Sequence, residues 1–311
     1  MNTRNISTKL SLVIAGAICL LSVSLVYAQS NRTWVSPSGD DSNNCTAAKP
    51  CRTFAGALTK TNADGEIVVQ SSGGFGPVTI DKSITIDGAG NYAGIQAGSE
   101  SNAITIQATG SDVVVLRGLT LSGLGSGSYG VRASTSYAVL HVENCVISNF
   151  VNGGISPGPT AAIFIQDTVI SECGRGISLD WGGKAVIDHC RLENNGTGLY
   201  LLLGTQVTVS NTVASGNANS GFETDWGTLN IESCVASNNG TGIYVHLAPS
   251  PNGPAIAVVS HSTVTNNQIG LRQDCVSVCG SVPSVLYSRG NNTVQGNGTD
   301  VSGTITPLNG T

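Results

Sequence analysis

The sequence predicts an all-β solenoid: a parallel β-helix with three strands per coil and a short N-terminal capping helix. Two observations predict it. The first is internal repetition between residues 138 and 274. AVIDHCRLENNGTGLYLLLG (185–204), VTVSNTVASGNANSGFETDWG (207–227) and LNIESCVASNNGTGIYVH (229–246) share one pattern. Aligned on one small residue after a polar pair, the repeats give Cys145, Thr168, Cys190, Thr212, Cys234 and Ser262, spaced by 23, 22, 22, 22 and 28. A fixed period of this size means that each repeat buries its apolar side by stacking on its neighbours. The second observation is apolar alternation with a period of two. Leu229 and Ile231, Cys234 and Ala236, then Ile243 and Val245 alternate with Asn230, Val235 and Tyr244. That is strand patterning. It is interrupted by polar bends such as Glu232-Ser233 and Asn238-Asn239-Gly240, where Asn and Gly suit positive φ. Equivalent residues of successive coils then lie ~4.8 Å apart. A leucine-rich repeat is the rival at this period, but its Leu-x-x-Leu-x-Leu core is absent and no segment reads as its helix.

The elements follow in order. Residues 1–28 read as a secretory signal, with Arg4 and Lys9 at a basic start, an apolar stretch over 10–26, and Val26-Tyr27-Ala28 as a small-residue cleavage site. An uncleaved anchor is the alternative. No later stretch is long and apolar enough to span a bilayer. The expected location is therefore secreted, periplasmic or at the cell surface. Residues 29–77 form an N-terminal lead-in and cap segment. Within it TFAGALTKTN (53–62) reads as a short helix with Phe54, Ala57 and Leu58 on one side. Such a helix would cover the open end of the first coil and protect its edge. Residues 78–303 form the parallel β-helix, and 304–311 a tail.

Composition bounds the function. The chain has 311 residues. Removing residues 1–28 takes away Arg4 and Lys9, leaving 12 basic against 19 acidic residues and a net charge of −7. That argues against nucleic acid or a polybasic membrane surface as partner. Nothing in the pattern calls for an oligomer, and the expectation is a monomer. Eight cysteines remain outside residues 1–28, in an export context that permits disulfides. Cys45 and Cys51 suit a local staple, as do Cys275 and Cys279. Cys145, Cys190 and Cys234 sit two coils apart, about 9–10 Å, too far to pair. They read as buried small hydrophobes.

The informative strand follows the Asn-Gly bend. Aligned by coil it reads GISLD (176–180), GLYLL (198–202), GFETD (221–225), GIYVH (242–246) and GLRQD (270–274). Ile177, Leu199, Phe222, Ile243 and Leu271 point inward, so two neighbouring columns point outward. The first is Ser178, Tyr200, Glu223, Tyr244 and Arg272. The second is Asp180, Leu202, Asp225, His246 and Asp274. The candidate catalytic residues are Asp225 and Asp274, an acid–base pair two coils apart, with His246 assisting. The candidate substrate-binding residues are Glu223, Tyr200, Tyr244, Arg272 and Trp226: tyrosines and the indole to stack on sugar rings, the guanidinium to hold an acidic group. The long segments 247–256 and 275–284 follow His246 and Asp274 and are placed to wall the patch.

The pattern Val-x-Ile-x-x-Cys-x-x-x-Asn-Asn-Gly-x-Gly-Ile-x-Val resembles the right-handed parallel β-helix repeat of the pectate-lyase-like superfamily. The stretch TWVSPSGDDSNN…KPCRTFAGAL (34–58) is similar to the N-terminal segment of its secreted bacterial members. The resemblance implies a right-handed coil and an active face on the strand after the bend. It also brings in Ca2+, because pectate lyases place calcium-binding acids and a catalytic arginine there; Asp225 and Asp274 are the acids able to stand in, and Arg272 the arginine. The polygalacturonase motifs Asn-Thr-Asp, Gly-His-Gly and Arg-Ile-Lys are absent, and Asp-Asp occurs only as Asp40-Asp41, ahead of the repeats. The expected function is an exported protein that binds, and as hydrolase or lyase cleaves, an extracellular polysaccharide. A non-catalytic surface, adhesive or structural solenoid is the alternative.

Overall fold

The computed structural model describes residues 29–133, 138–159, 162–180, 182–247, 253–275 and 284–308. The strands pair in parallel and stack into three ladders. One coil runs through Thr205–Ser210, Val213–Ser215 and Ser220–Thr224. The next runs through Gly227–Glu232, Val235–Ser237 and Thr241–Leu247. Val207 lies against Leu229, Ala214 against Ala236 and Phe222 against Ile243. The first ladder is a 12-stranded sheet from Ser30–Val35 to Ile305–Pro307. The second and third are joined by two long strands, Leu119–Ala133 and Val146–Ser156. These turn the corner, pairing Val146 with Thr120 in one ladder and Ile155 with Val131 in the other. The result is the expected right-handed parallel β-helix.

The alternation sets the core. Ile177, Leu199, Phe222, Ile243 and Leu271 all point inward and are buried. The aligned column stacks as the spacing demands. The Cys145, Cys190 and Cys234 amides donate to Thr168 Oγ1, Thr212 Oγ1 and Ser262 Oγ at 3.3, 3.2 and 3.1 Å. Threonine and serine between the cysteines thus supply acceptors that a thiol provides poorly. All three cysteines are free and buried, as is Cys173. Burial pushes the Cys145 and Cys234 thiols up to about 11 and Cys190 to about 12.

The Asn-Asn-Gly bends are built differently from the expectation that Asn and Gly share positive φ. Only the first asparagine is left-handed: Asn194, Asn238 and Asn266 have φ of 55, 59 and 56°. The second is buried and forms a ladder. The amides of Asn195, Asn217, Asn239 and Asn267 donate to the Oδ1 of Asn217, Asn239, Asn267 and Asn297 at 2.9–3.0 Å. Each Nδ2 also reaches a strand carbonyl, Leu192 for Asn217 and Ala214 for Asn239, both at 3.0 Å. Cys173 occupies the same position one coil earlier, its amide donating to Asn195 Oδ1 at 3.0 Å. The glycine after the bend answers to close approach. A Cβ on Gly198 would lie 2.5 Å from the Gly221 carbonyl oxygen.

The capping helix is Phe54–Leu58, with Thr53 as its N-cap and Phe54, Ala57 and Leu58 buried. It is shorter than the 53–62 stretch expected. Thr61 is drawn into the strand Thr61–Val69, its buried hydroxyl bonded to the Ala57 carbonyl and to Thr33 Oγ1 at 2.8 Å each. Cys45 and Cys51 are disulfide-bonded, Cα to Cα 4.6 Å. Among the described residues no helix is long and apolar enough to cross a membrane. The signal at 1–28, the Cys275–Cys279 staple, and residues 248–252 and 276–283 of the two walling segments fall outside what is described.

Candidate functional site

The third ladder carries the candidate patch. Glycine at the bend lets adjacent coils approach, and inward Leu199, Phe222 and Ile243 fix the phase of the strand. The first outward column is in the expected register: Ser178 beside Tyr200, Tyr200 beside Glu223, Glu223 beside Tyr244, Tyr244 beside Arg272. In the second column His246 pairs with Asp274. A cleft of about 410 Å3 runs over this face, lined by Arg175, Tyr200, Ser220, Glu223, Tyr244 and Arg272 among others.

Asp225 and Asp274 are not two free carboxylates facing across a gap. Tyr200 donates to Asp225 Oδ2 at 2.8 Å, and His246 Nδ1 lies 3.3 Å from Asp225 Oδ1. Tyr244 donates to Asp274 Oδ2 at 3.0 Å and Arg272 Nε to the same oxygen at 2.8 Å. Burial pulls Asp274 upward, but the bonds from Arg272 and Tyr244 outweigh it and hold the carboxyl below its ordinary value. Burial and the same bonds raise both phenols, Tyr200 through Asp225 and Tyr244 through Asp274, so both remain donors. Asp225 is also buried, its polar environment supplied by Tyr200 and His246.

The tyrosine faces are occupied. Arg175 lies over the Tyr200 ring at 3.9 Å and Arg272 over Tyr244 at 4.6 Å. His246 stacks on Tyr244 with centroids 5.3 Å apart at 20°. These rings act as pillars that hold guanidinium and carboxylate in place, and the contacts with Arg272 and His246 compete with sugar stacking on Tyr244. Trp226 packs against the core and lies outside the cleft lining.

Glu223 is the carboxylate that lines the cleft, between the two pillars. Its pKa is raised, by burial first and by nearby Asp225, against the hydrogen bond from Ser220. A carboxyl whose pKa is raised by burial holds its proton to a higher pH than an exposed one, which suits it to a proton-donating role. Asp225 orients the His246 ring through Nδ1, which leaves Nε2 to exchange a proton with water or a ligand hydroxyl. The sequence reading set Glu223 on this face as a substrate-binding residue, in the register the structure has, and gave the acid–base role to Asp225, Asp274 and His246. It missed Arg175 altogether, because the residue opens the strand Arg175–Leu179 directly after the bend, outside both columns read from the alternation.

Calcium takes about six to eight oxygen ligands. Here the Asp225 and Asp274 oxygens are engaged by Tyr200, Tyr244 and Arg272, and the Arg272 guanidinium puts positive charge where a cation would sit. Among the described residues no group of three His, Cys, Asp or Glu side chains is placed to hold a metal. The patch does not fit calcium.

Three stacked parallel ladders around an apolar interior define the class, a β-helix solenoid. Residues 104–299 match the family model described as right handed beta helix region, and the chain belongs to that family. It is similar to the crystal structure of pectate lyase Pel9A, with 17% identity and a TM-score of 0.64, over 91% of this chain and 78% of that one. It is also similar to XylC, solved in complex with xylose, with 11% identity and a TM-score of 0.57, over 78% of this chain and 70% of that one. No curated protein matches the chain in sequence.

Proposed function

We propose that this is an exported protein that binds an extracellular polysaccharide along the third ladder, in the cleft floored by Glu223. One observation carries the reading: a cleft of about 410 Å3 lined by hydroxyls, two arginines and a protected carboxyl on an otherwise regular solenoid. Such a lining offers donors and acceptors to sugar hydroxyls with little apolar area, which suits a carbohydrate better than a lipid or an apolar cofactor. Similarity in fold to a pectate lyase and to a protein solved with xylose supports the ligand class.

A second reading, cleavage, is favoured by Glu223 itself. Its buried carboxyl is suited to protonate the glycosidic oxygen as that bond breaks, while water, losing its proton to His246 Nε2, adds to the sugar carbon. The test is incubation of the chain lacking residues 1–28 with plant and bacterial polysaccharides. Affinity electrophoresis reads binding; new reducing ends read hydrolysis; ultraviolet absorbance of an unsaturated uronate reads elimination. Glu223→Gln is expected to retain binding and abolish new reducing ends. Absence of binding to every polysaccharide would overturn the proposal in favour of a non-catalytic scaffold.

A further inference from the structure

The second ladder turns a different kind of surface outward. Over five successive coils one outward column reads Val146, Val169, Arg191, Val213 and Val235, and the column beside it Ser148, Ser171, Glu193, Ser215 and Ser237. Thr120 and Ser122 continue them at one end, Thr263 and Thr265 at the other. The residue between the columns, such as Ile170, Leu192 or Ala214, is buried and fixes this phase. Short side chains of nearly equal reach therefore stand in two rows, with rungs ~4.8 Å apart. Val146 is 44% exposed, and the other valines and the serines are half-buried.

Charge is confined to the central rung of these seven, Arg191 with Glu193. The outward face of the first ladder, by contrast, carries Arg117, Glu143, Lys184, Asp188 and Glu232. Arg191 Nε and Nη2 both reach Glu193 Oε1, at 2.9 and 2.7 Å. One carboxylate oxygen is thus used, and the other is left to accept from elsewhere. The Arg191 side chain stays 61% exposed. Protein–protein contacts withdraw charge from their core and keep a polar rim. The exposed bend residues on either side, Asp167 and His189 before the strands and Glu172 and Asn194 after them, supply such a rim.

We propose that the second ladder is the contact face of a reversible homodimer, in which two copies lie side by side with their solenoid axes parallel. The charge pattern selects that arrangement over the monomer expected from the sequence. A two-fold axis along the solenoid sets the valine column of each copy against the serine column of the other, rung for rung. Arg191 then meets the partner's Glu193, and Glu193 meets the partner's Arg191, closing a ring of alternating charge. A two-fold axis along the strands would instead set Arg191 against the partner's Arg191, with like charges opposed. With the strands Ala93–Gln96 and Thr293–Gln295 at the ends, nine rungs span about 38 Å. The flanking bend residues make the face about 16 Å wide, or roughly 600 Å2 per copy. A total of about 1,200 Å2 is at the lower edge of specific interfaces and suits a dimer in exchange with monomer. The cleft over Glu223 lies on the third ladder and takes no part, so the dimer does not depend on the polysaccharide reading.

Sedimentation velocity over a concentration series tests this on the chain lacking residues 1–28. The wild type is compared with Arg191→Glu, with Glu193→Arg and with the double exchange carrying both. The wild type is expected to pass from monomer to dimer as concentration rises. Each single variant opposes like charges at the centre of the face and is expected to weaken the dimer roughly tenfold or more. The double exchange restores it. An equimolar mixture of the two single variants is expected to form a heterodimer tighter than either homodimer, because one copy then carries two acidic groups on that rung and the other two basic ones. That recovery also shows that both single variants are folded. A wild type that stays monomeric at every concentration overturns the proposal. So does a dimer that both single variants leave intact, or a mixture that associates no better than its components.

Discussion

Replacing Asn239 by alanine isolates what the asparagine ladder contributes. Asn239 is buried, 3% exposed. Its Oδ1 accepts from the Asn217 amide and from Asn217 Nδ2, both at 2.9 Å. Its Nδ2 donates to the Ala214 carbonyl and to Asn267 Oδ1, both at 3.0 Å. Truncation orphans the Asn217 amide completely. Asn217 Nδ2 keeps Leu192, and Asn267 Oδ1 keeps the Asn239 amide. One stranded buried donor and three weakened groups cost about 3–5 kcal/mol. That is a large share of a typical stability of about 5–15 kcal/mol. The control is Asn238→Gly, at an exposed position with φ of 59°, where glycine adopts the same backbone. It is expected to stay within about 0.5 kcal/mol of wild type. Urea denaturation followed by circular dichroism, with the disulfide intact, measures both variants. Since solenoids open locally, hydrogen exchange over residues 213–245 provides a second reading. An Asn239→Ala variant no weaker than Asn238→Gly would refute the ladder as a source of stability.

Three further outcomes are expected. Burial raises Glu223 above its ordinary 4.5, so the folded chain holds that proton more tightly than the unfolded chain does. Its stabilising contribution is full below that value and is lost as pH rises through the folded-state pKa, so Glu223→Gln gains on wild type across that interval. Melting temperatures of both proteins between about pH 4 and pH 7 check this, and a constant gap contradicts it. Gly198→Ala, whose Cβ would sit 2.5 Å from the Gly221 oxygen, is expected to cost about 1–3 kcal/mol in chemical denaturation. Iodoacetamide should leave Cys145, Cys173, Cys190 and Cys234 unmodified in the native chain and label them in guanidinium, read by peptide mass spectrometry, because burial keeps the thiols protonated.

The coil was legible because its signals are local. Period-two alternation and one small residue per repeat sufficed to place Cys145 to Ser262 in one column. Glu223, Tyr244 and Arg272 followed from the same phase. What the pattern could not carry was the third dimension of each polar residue. Asn239 and Asn238 are the same residue type in sequence; one is buried and bonded between coils, the other is an exposed bend. Asp225 sits at an outward position, yet Tyr200 of the preceding coil and His246 of the following one close over it. Trp226 is hard to place for a different reason: an indole next to an outward-column acid can still turn its area to the core.

The asparagine ladder has a direction and a terminus. Each amide hands its hydrogen to the side chain one coil on, until Asn297, whose amide and Nδ2 both donate to Asp300 Oδ1 at 3.1 and 2.9 Å. Aspartate has no side-chain N–H to pass further, so the run of identical joints stops there. Between Asn217 and Asn297 the joints repeat, amide and Nδ2 both donating to the next Oδ1. A duplicated unit of one coil would find its donors and acceptors waiting, whereas an insertion of part of a coil would break the run. The third ladder, with the cleft it carries, can therefore lengthen or shorten only in increments of one strand spacing, a whole coil at a time.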